Sequence, residues 1–293
     1  MNSLVFTRRH SGFTVLELVT VISILGIVVS LLLVGINVVR ESARRTKCTN
    51  NLKQIGLGLL NYESAYHVFP RGCAQQTHGP LVCILPYIEQ ESLFATIDFS
   101  TDMDGNLIAK KARVDLFRCP STLLQELGGR TDYTLNRGNT LAMLRNDPWF
   151  FDEKFFPRTS NFSKGSSGTP LFSETCPRVE GVEKGSMLEL DRRNILSNDD
   201  SKHFETECAG SALNVARSRI DNGRFWYGGG TANYFHIFTP NSRSCSNGNL
   251  VQFSLYTATS MHSGGVNILF ADGRVVFTSD GVDNLTWQSL GAR

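Results

Sequence analysis

Gly12-Phe13-Thr14-Val15-Leu16-Glu17 begins the long apolar run near the N-terminus. From Phe13 to Val39 the chain is almost wholly apolar, rich in Val, Leu and Ile, and broken only by Glu17 and small polar residues. About 27 residues at about 1.5 Å each reach roughly 40 Å, enough to cross a bilayer's hydrocarbon core with some tilt. Arg8, Arg9 and His10 precede the run, so the positive-inside tendency keeps the N-terminus cytoplasmic and places everything after Arg40 outside. Arg40, Arg44, Arg45 and Lys47 on the far side weaken that charge argument. A cleaved secretory signal is disfavoured, because the run is longer than an h-region and no small-x-small site follows it. A plain anchor helix is the stronger alternative. Against it stands Glu17, since an ionisable group inside an apolar helix is costly and defaults to a functional role.

Beyond Arg40 the pattern changes. Cys48, Leu52, Ile55, Leu59, Tyr62 and Tyr66 recur in steps of four and three, the apolar stripe of an amphipathic helix that Pro70 brings to an end. Gly56 and Gly58 read as tolerated weak points in it. After Pro70, short apolar runs alternate with Gly, Asn, Asp and Ser clusters, which reads as short strands and loops in a single domain. Val82–Ile88 reads as a strand or short helix cut by Pro86, Glu89–Phe94 as a helical turn, and 165–168 as an exposed loop. The sharpest local signal is Val266, Ile268 and Phe270, then Ala271-Asp272-Gly273-Arg274, then Val275 and Phe277. Asp-Gly between alternating apolar runs predicts a type I′ hairpin pairing about Val266–Ala271 with Arg274–Thr278.

The opening hexapeptide resembles the type IV prepilin processing site, Gly-Phe-Thr-Leu-x-Glu, with Val15 where that pattern has leucine. The resemblance implies cleavage between Gly12 and Phe13 by a prepilin peptidase and N-methylation of Phe13. It also implies that Glu17 pairs with the N-terminal amine of a neighbouring subunit during assembly. A second resemblance covers nearly the whole chain. His262, nine residues, then Asp272-Gly273 is similar to the H-X9-DG motif of the planctomycete DUF1559 family. The agreement extends to 48–56 (Cys-Thr-Asn-Asn-Leu-Lys-Gln-Ile-Gly), Asn61-Tyr62, Phe69-Pro70, 85–90 (Leu-Pro-Tyr-Ile-Glu-Gln) and 117–121 (Phe-Arg-Cys-Pro-Ser). Between about Arg137 and Asn233 it is weakest, resting on Leu171-Phe172-Ser173-Glu174.

The expected fold is therefore α+β and pilin-like: a spine helix packed on an antiparallel sheet with a C-terminal β-hairpin. The expected division is a leader at 1–12, a transmembrane helix at 13–39 and an exoplasmic domain at 40–293, with 40–68 continuing the spine. The family resemblances imply a single-pass inner-membrane protein, N-terminus cytoplasmic and main domain periplasmic. Its expected role is that of a pseudopilin-like structural or binding subunit of a type II secretion or type IV pilus-like system. Its expected partners are the membrane, the prepilin peptidase and other pilin-like subunits or copies of itself. The alternative is a solitary envelope protein, sorted by the prepilin route, whose domain binds polysaccharide or protein.

A net charge of +2 over 293 residues, with no basic stripe, gives no pull toward nucleic acid. His262, Ser263 and Asp272 lack a nucleophile elbow, so no catalytic residue and no enzyme activity is expected. Seven cysteines without C-x-x-C favour an oxidising compartment. Cys48 and Cys119 sit in the two family-like motifs and make the first candidate pair; Cys73–Cys83 and Cys208–Cys245 are further candidates, with Cys176 left over. Connectivity stays open at this point. Zinc is disfavoured, because no histidine stands at ligand spacing from a cysteine. No cofactor is expected; Asp102, Asp104, Asp280 and Asp283, with Asn284, could supply hard oxygen ligands to calcium, with solvated turns as the stronger reading. The aromatic clusters 225–227 and 234–238 read as strand core, with a sugar-binding surface as the alternative.

Overall fold

The structure is a computed structural model. It describes residues 12, 14–71, 78–101, 105–122, 128–139, 157–176, 192–194, 206, 208, 226–228, 233–242, 244–246 and 254–291. The chain divides into two compact units, Met1–Ala43 and Arg44–Arg293. Helix α1 (Val15–Tyr66) starts in the first and ends in the second.

In the first unit, α1 begins with a reciprocal cap. The Thr14 backbone N–H and hydroxyl both donate to Glu17 Oε2, at 2.9 and 2.8 Å, and the Glu17 N–H donates back to Thr14 Oγ1. Thr-x-x-Glu is the capping-box pattern, satisfying donors that a helix start leaves unpaired. The described side chains that follow are exposed, from Val15 and Leu16 to Val28 and Val29. Among the described residues no helix is long and apolar enough to cross a membrane. The expected span also passes through Phe13, 31–35 and Asn37, whose side chains lie outside the described residues.

In the second unit, α1 turns one stripe inward: Cys48, Leu52, Ile55 and Leu59 are buried, Tyr62 half-buried. Tyr66, expected on that stripe, is exposed, because the helix stops there. His67 takes a left-handed conformation (φ 57°) and its N–H closes on the Glu63 carbonyl, a helix-ending geometry ahead of Pro70. Short helices follow: α2 (Pro80–Cys83), a 3₁₀ turn at Leu85–Ile88, α3 (Glu91–Phe94) and α4 (Leu107–Lys111). The expected loop at 165–168 is one helical turn, α5 (Gly165–Gly168). It is held by Thr169, whose hydroxyl donates to the Gly165 carbonyl.

The main sheet has five strands in the order β4-β1-β2-β7-β8. These are β1 (Tyr133–Asn136), β2 (Pro170–Glu174), β4 (Asn233–Tyr234), β7 (Gly265–Phe270) and β8 (Val275–Ser279). The sheet is mixed rather than purely antiparallel, because β4 lies parallel to β1, with Leu135 opposite Asn233. A second sheet, ordered β3-β5-β6, pairs β3 (Arg192–Asn194) parallel with β5 (Ser244–Ser246), and β5 antiparallel with β6 (Ser254–Leu255).

The C-terminal hairpin has the expected register, Val266 opposite Thr278 and Leu269 opposite Val275. Its turn differs from expectation. Gly273 has φ +84°, whereas Asp272 does not take a positive φ, so a type I′ turn is excluded. The Gly273 N–H donates to the Phe270 carbonyl and the Phe270 N–H to the Arg274 carbonyl, a type I turn closed by a glycine bulge. Asp272 fixes it by accepting the Arg274 N–H at 2.9 Å.

Both faces of β7 are covered. Leu269 and Ala271 join the core under α1; Val266, Ile268 and Phe270 join a second core against α6 (Asn284–Gly291), whose Trp287 is fully buried. Gly56 of α1 lies so close to the hairpin that a Cβ there would stand 2.7 Å from Leu269 Cδ1 and 3.3 Å from Gly273 Cα. Gly58 meets Ile84 and Ile88 in the same way. The two glycines expected to be weak points are positions where the helix backbone closely approaches its neighbours.

Candidate functional site

Between α1 and the sheet, residues distant in sequence meet in one buried polar centre. Cys48 and Cys119 form a disulfide across a separation of 71 residues. His262 Nε2 lies 3.5 Å from Cys119 Sγ and 3.6 Å from Glu174 Oε1. The side chains of His262 and Glu174 are 1% and 3% exposed, so no bulk water stands among these groups. One ligating atom from each of Cys48, Cys119, Glu174 and His262 can be chosen so that all lie within 4.8 Å of one another.

Each member is held by an element with its own reason to be there. Cys48 sits on the buried stripe of α1, and Cys119 follows a 3₁₀ turn at Asp115–Phe117 whose Phe117 is buried. Glu174 ends β2, where Ser173 pairs with Ile268 of β7, bringing Glu174 beside Asn267. Asn267 then fixes both carboxylate oxygens: its N–H donates to Oε2 and its Nδ2 to Oε1, each at 2.9 Å. Thr49 reaches across from α1 and donates to Asn267 Oδ1. His262 is set by the turn before β7, where its N–H donates to Ser260 Oγ.

A second ring of polar contacts surrounds the disulfide. Asn51 Nδ2 donates to the Arg118 carbonyl at 2.7 Å and to Tyr133 Oη at 3.3 Å, and the Tyr133 hydroxyl donates to the Cys48 carbonyl. Asp132 Oδ2 accepts the Cys119 N–H and lies 3.4 Å from Arg118 Nε. Burial pushes the Asp132 carboxyl up to about 6, against the pull of Arg118. Burial also drives the Tyr133 phenol well above its ordinary range, with Glu174 adding to it, so the phenol stays a neutral donor.

Two family-like motifs, Cys48–Asn51 and Phe117–Cys119, thus converge with His262 on one centre. Of the other residues there, Glu174 stands in the short Leu-Phe-Ser-Glu match, whereas Asp132, Tyr133 and Asn267 lie outside these motifs. A clue existed for Asn267. Its flanks Val266, Ile268, Leu269, Phe270 and Ala271 are nearly continuous in apolarity, the mark of a strand covered on both faces, so its odd polar residue had to be buried. Asp272 and Gly273, the other end of the H-X9-DG motif, lie at the hairpin tip and are accounted for by turn geometry.

Zinc is disfavoured on sequence spacing; in the fold a histidine and a carboxylate lie beside the two sulfurs of the Cys48–Cys119 disulfide. Cys83 is a half-buried thiol next to Tyr62, so it forms no Cys73–Cys83 bridge; Cys73 itself lies outside the described residues. Cys208 is disulfide-bonded, while the side chain of its expected partner Cys245 lies outside the described residues. Cys176, expected to be left over, is a buried thiol. Of the calcium candidates, Asp283 spends its carboxylate on starting α6, accepting the Thr286 N–H and hydroxyl, which hold it below the usual carboxylate range. Asp280 joins no group of three ligating side chains among the described residues. Asp102 and Asp104 lie outside them. Trp226, Tyr227, Tyr234 and Phe235 are buried, so these aromatics build core rather than a sugar-binding surface. Gly12 is described, and Phe13, the other half of the processing site, is not.

A helix laid on a mixed sheet, stapled through a buried disulfide that faces histidine and carboxylate, defines a disulfide-centred α+β domain. The chain belongs to the family described as a protein of unknown function (DUF1559), which matches residues 38–285. Neither a curated protein nor a solved structure matches the chain.

Proposed function

We propose that this chain is a membrane-anchored, prepilin-like envelope protein whose exoplasmic domain serves as a non-enzymatic structural or binding subunit of a type II secretion or type IV pilus-like assembly. One observation carries the reading. Val15, Leu16, Leu18, Val19, Val21, Ile22, Ile24, Leu25, Ile27, Val28 and Val29 are exposed apolar side chains on every side of α1, whereas the same helix from Cys48 onward buries a single stripe. A helix apolar all round is at home in lipid or among other helices. Leaving these eleven side chains in water forgoes on the order of 10 kcal/mol of burial. The exoplasmic placement accords with the disulfides at Cys48–Cys119 and Cys208, since such bonds persist in oxidising compartments. Glu17 has a second role in this reading: it caps the helix start in the single chain, and in the assembly it faces the amine of a neighbouring Phe13.

The test is intact-mass and N-terminal peptide analysis of the membrane fraction, with Glu17→Val alongside. A mature chain beginning at N-methylated Phe13 and retained in the membrane is expected. A chain beginning at Met1 and recovered in the soluble fraction would sink the proposal. Copurifying pilin-like subunits, lost on Glu17→Val, distinguish an assembly subunit from a solitary envelope protein.

A further inference from the structure

We propose that the Cys48–Cys119 disulfide masks a metal site: on reduction, the two cysteine sulfurs, His262 Nε2 and Glu174 Oε1 bind one thiophilic divalent cation of the zinc class. The donor set is mixed sulfur, nitrogen and oxygen, which suits zinc and its spectroscopic substitute cobalt(II) better than calcium or magnesium.

The distances carry the argument. Zinc holds sulfur at about 2.3 Å, imidazole nitrogen at about 2.0–2.1 Å and carboxylate oxygen at about 2.0–2.2 Å. A tetrahedron with those arms has a nitrogen–sulfur edge of roughly 3.5 Å and a nitrogen–oxygen edge of roughly 3.4 Å. His262 Nε2 stands 3.5 Å from Cys119 Sγ and 3.6 Å from Glu174 Oε1. One nitrogen thus already lies at both edges of the tetrahedron. Once the disulfide is cleaved, the two sulfurs repel to non-bonded separation, about the 3.8 Å edge that a two-thiolate zinc site requires. All four donor atoms already lie within 4.8 Å of one another.

The surroundings are those of a supported ligand shell. Asn267 holds both oxygens of Glu174, fixing the carboxylate's orientation, and is itself held by Thr49. The Cys119 N–H is fixed on Asp132, and the Cys48 carbonyl accepts from Tyr133. Ligands anchored in this way bind metal more tightly than mobile ones. All four donors are buried, so the cation would be shielded from water.

A dithiol reductant delivers two electrons and two protons, is oxidised to its own disulfide, and leaves Cys48 and Cys119 as thiols. The cation then displaces both thiol protons to solvent and forms two metal–sulfur bonds. Oxidation reverses the sequence and expels the metal. The site is thus a redox-gated one, closed in an oxidising compartment and open where thiols are maintained.

The experiment uses the full chain, reduced anaerobically with a trialkylphosphine in the presence of cobalt(II), and the same chain left oxidised. Expected is one cobalt per reduced chain, with sulfur-to-cobalt charge transfer and the intense visible bands of tetrahedral coordination, and none in the oxidised chain. His262→Ala and Glu174→Gln should each weaken cobalt binding by about tenfold or more. The paired substitution Cys48→Ser and Cys119→Ser should abolish the charge-transfer band. Zinc should displace the cobalt and raise the melting temperature of the reduced chain but not of the oxidised one. Equal cobalt uptake by the oxidised chain, the same spectrum in the paired serine variant, or a reduced chain without cobalt, folded or unfolded, each overturns the proposal.

Discussion

His236 shows how far burial can move a single group. It stacks on Trp287 at 4.0 Å, lies 3.0 Å from the Tyr234 hydroxyl through Nε2 and meets the Trp287 carbonyl through Nδ1. Burial lowers its pKa from 6.5 to about 3, outweighing the carbonyl contact that favours the charged form. The sign follows directly. A histidine whose folded pKa is depressed contributes stability above its unfolded pKa, and that contribution is lost as pH falls, because the unfolded chain binds the proton first. Between pH 6.5 and about 3, His236 should therefore steepen acid destabilisation by up to about 1.4 kcal/mol per pH unit. His236→Phe keeps the stack and removes the proton site. Urea unfolding of both proteins from pH 7 to 4 should give a shallower acid limb for the variant; parallel limbs would show that His236 titrates normally. None of this was legible beforehand. Sequence placed His236 among core aromatics, but its partner Trp287 belongs to a C-terminal helix that carried no strong periodic signal.

The elements were legible to very different degrees. Helix α1 and the terminal hairpin were readable because each satisfies a periodic rule over many residues: steps of three and four in one, alternation plus Asp-Gly in the other. The parallel pairing of β1 with β4, and the small sheet of β3, β5 and β6, were not, because two- to four-residue strands offer too few positions for a pattern. The polar centre was half legible. Its cysteines and His262 lie in motifs and Asn267 stands out in an apolar run, while Asp132 acquires meaning only when segments from different parts of the chain meet. The contact between α1 and the hairpin yields a prediction of its own. Gly56 faces Leu269 Cδ1 and the Gly273 backbone, so a larger side chain must push helix and hairpin apart. Gly56→Leu should destabilise the domain by about 1–3 kcal/mol by overpacking, even though leucine favours the helix by up to about 1 kcal/mol. Gly56→Ala should lie between the two, since Leu269 can yield to one methyl while Gly273 Cα cannot. Chemical denaturation ranks the three; a variant as stable as the parent would mean that the hairpin tip gives way freely.

For the whole molecule, the decisive contrast is between what the two units bury. Among the described residues, the buried apolar side chains begin at Cys48, and none lies in Met1–Ala43. The second unit also contains the Cys48–Cys119 staple, both faces of β7 and the hairpin's Arg45 contact, in which the guanidinium sits 3.5 Å over the Phe277 ring. A fragment starting at Arg44 therefore keeps every buried group named above. What it loses is the helix ahead of Cys48, and with it some support for the first turn, where Arg44 and Arg45 would face the positive end of the helix dipole. The disulfide at Cys48 limits that fraying to about one turn. The fragment 44–293 should remain in solution without detergent, form the Cys48–Cys119 bridge and melt in one cooperative step. Its midpoint should fall within about 4 °C of the full chain's, since a loss of about 1 kcal/mol shifts a domain of this size by roughly 2–4 °C. Calorimetry with disulfide mapping by mass spectrometry reads both. Aggregation, a broad transition or a missing bridge would mean that residues before Arg44 are part of the fold, and that the exposed apolar run of α1 serves the domain rather than a membrane or a neighbouring subunit.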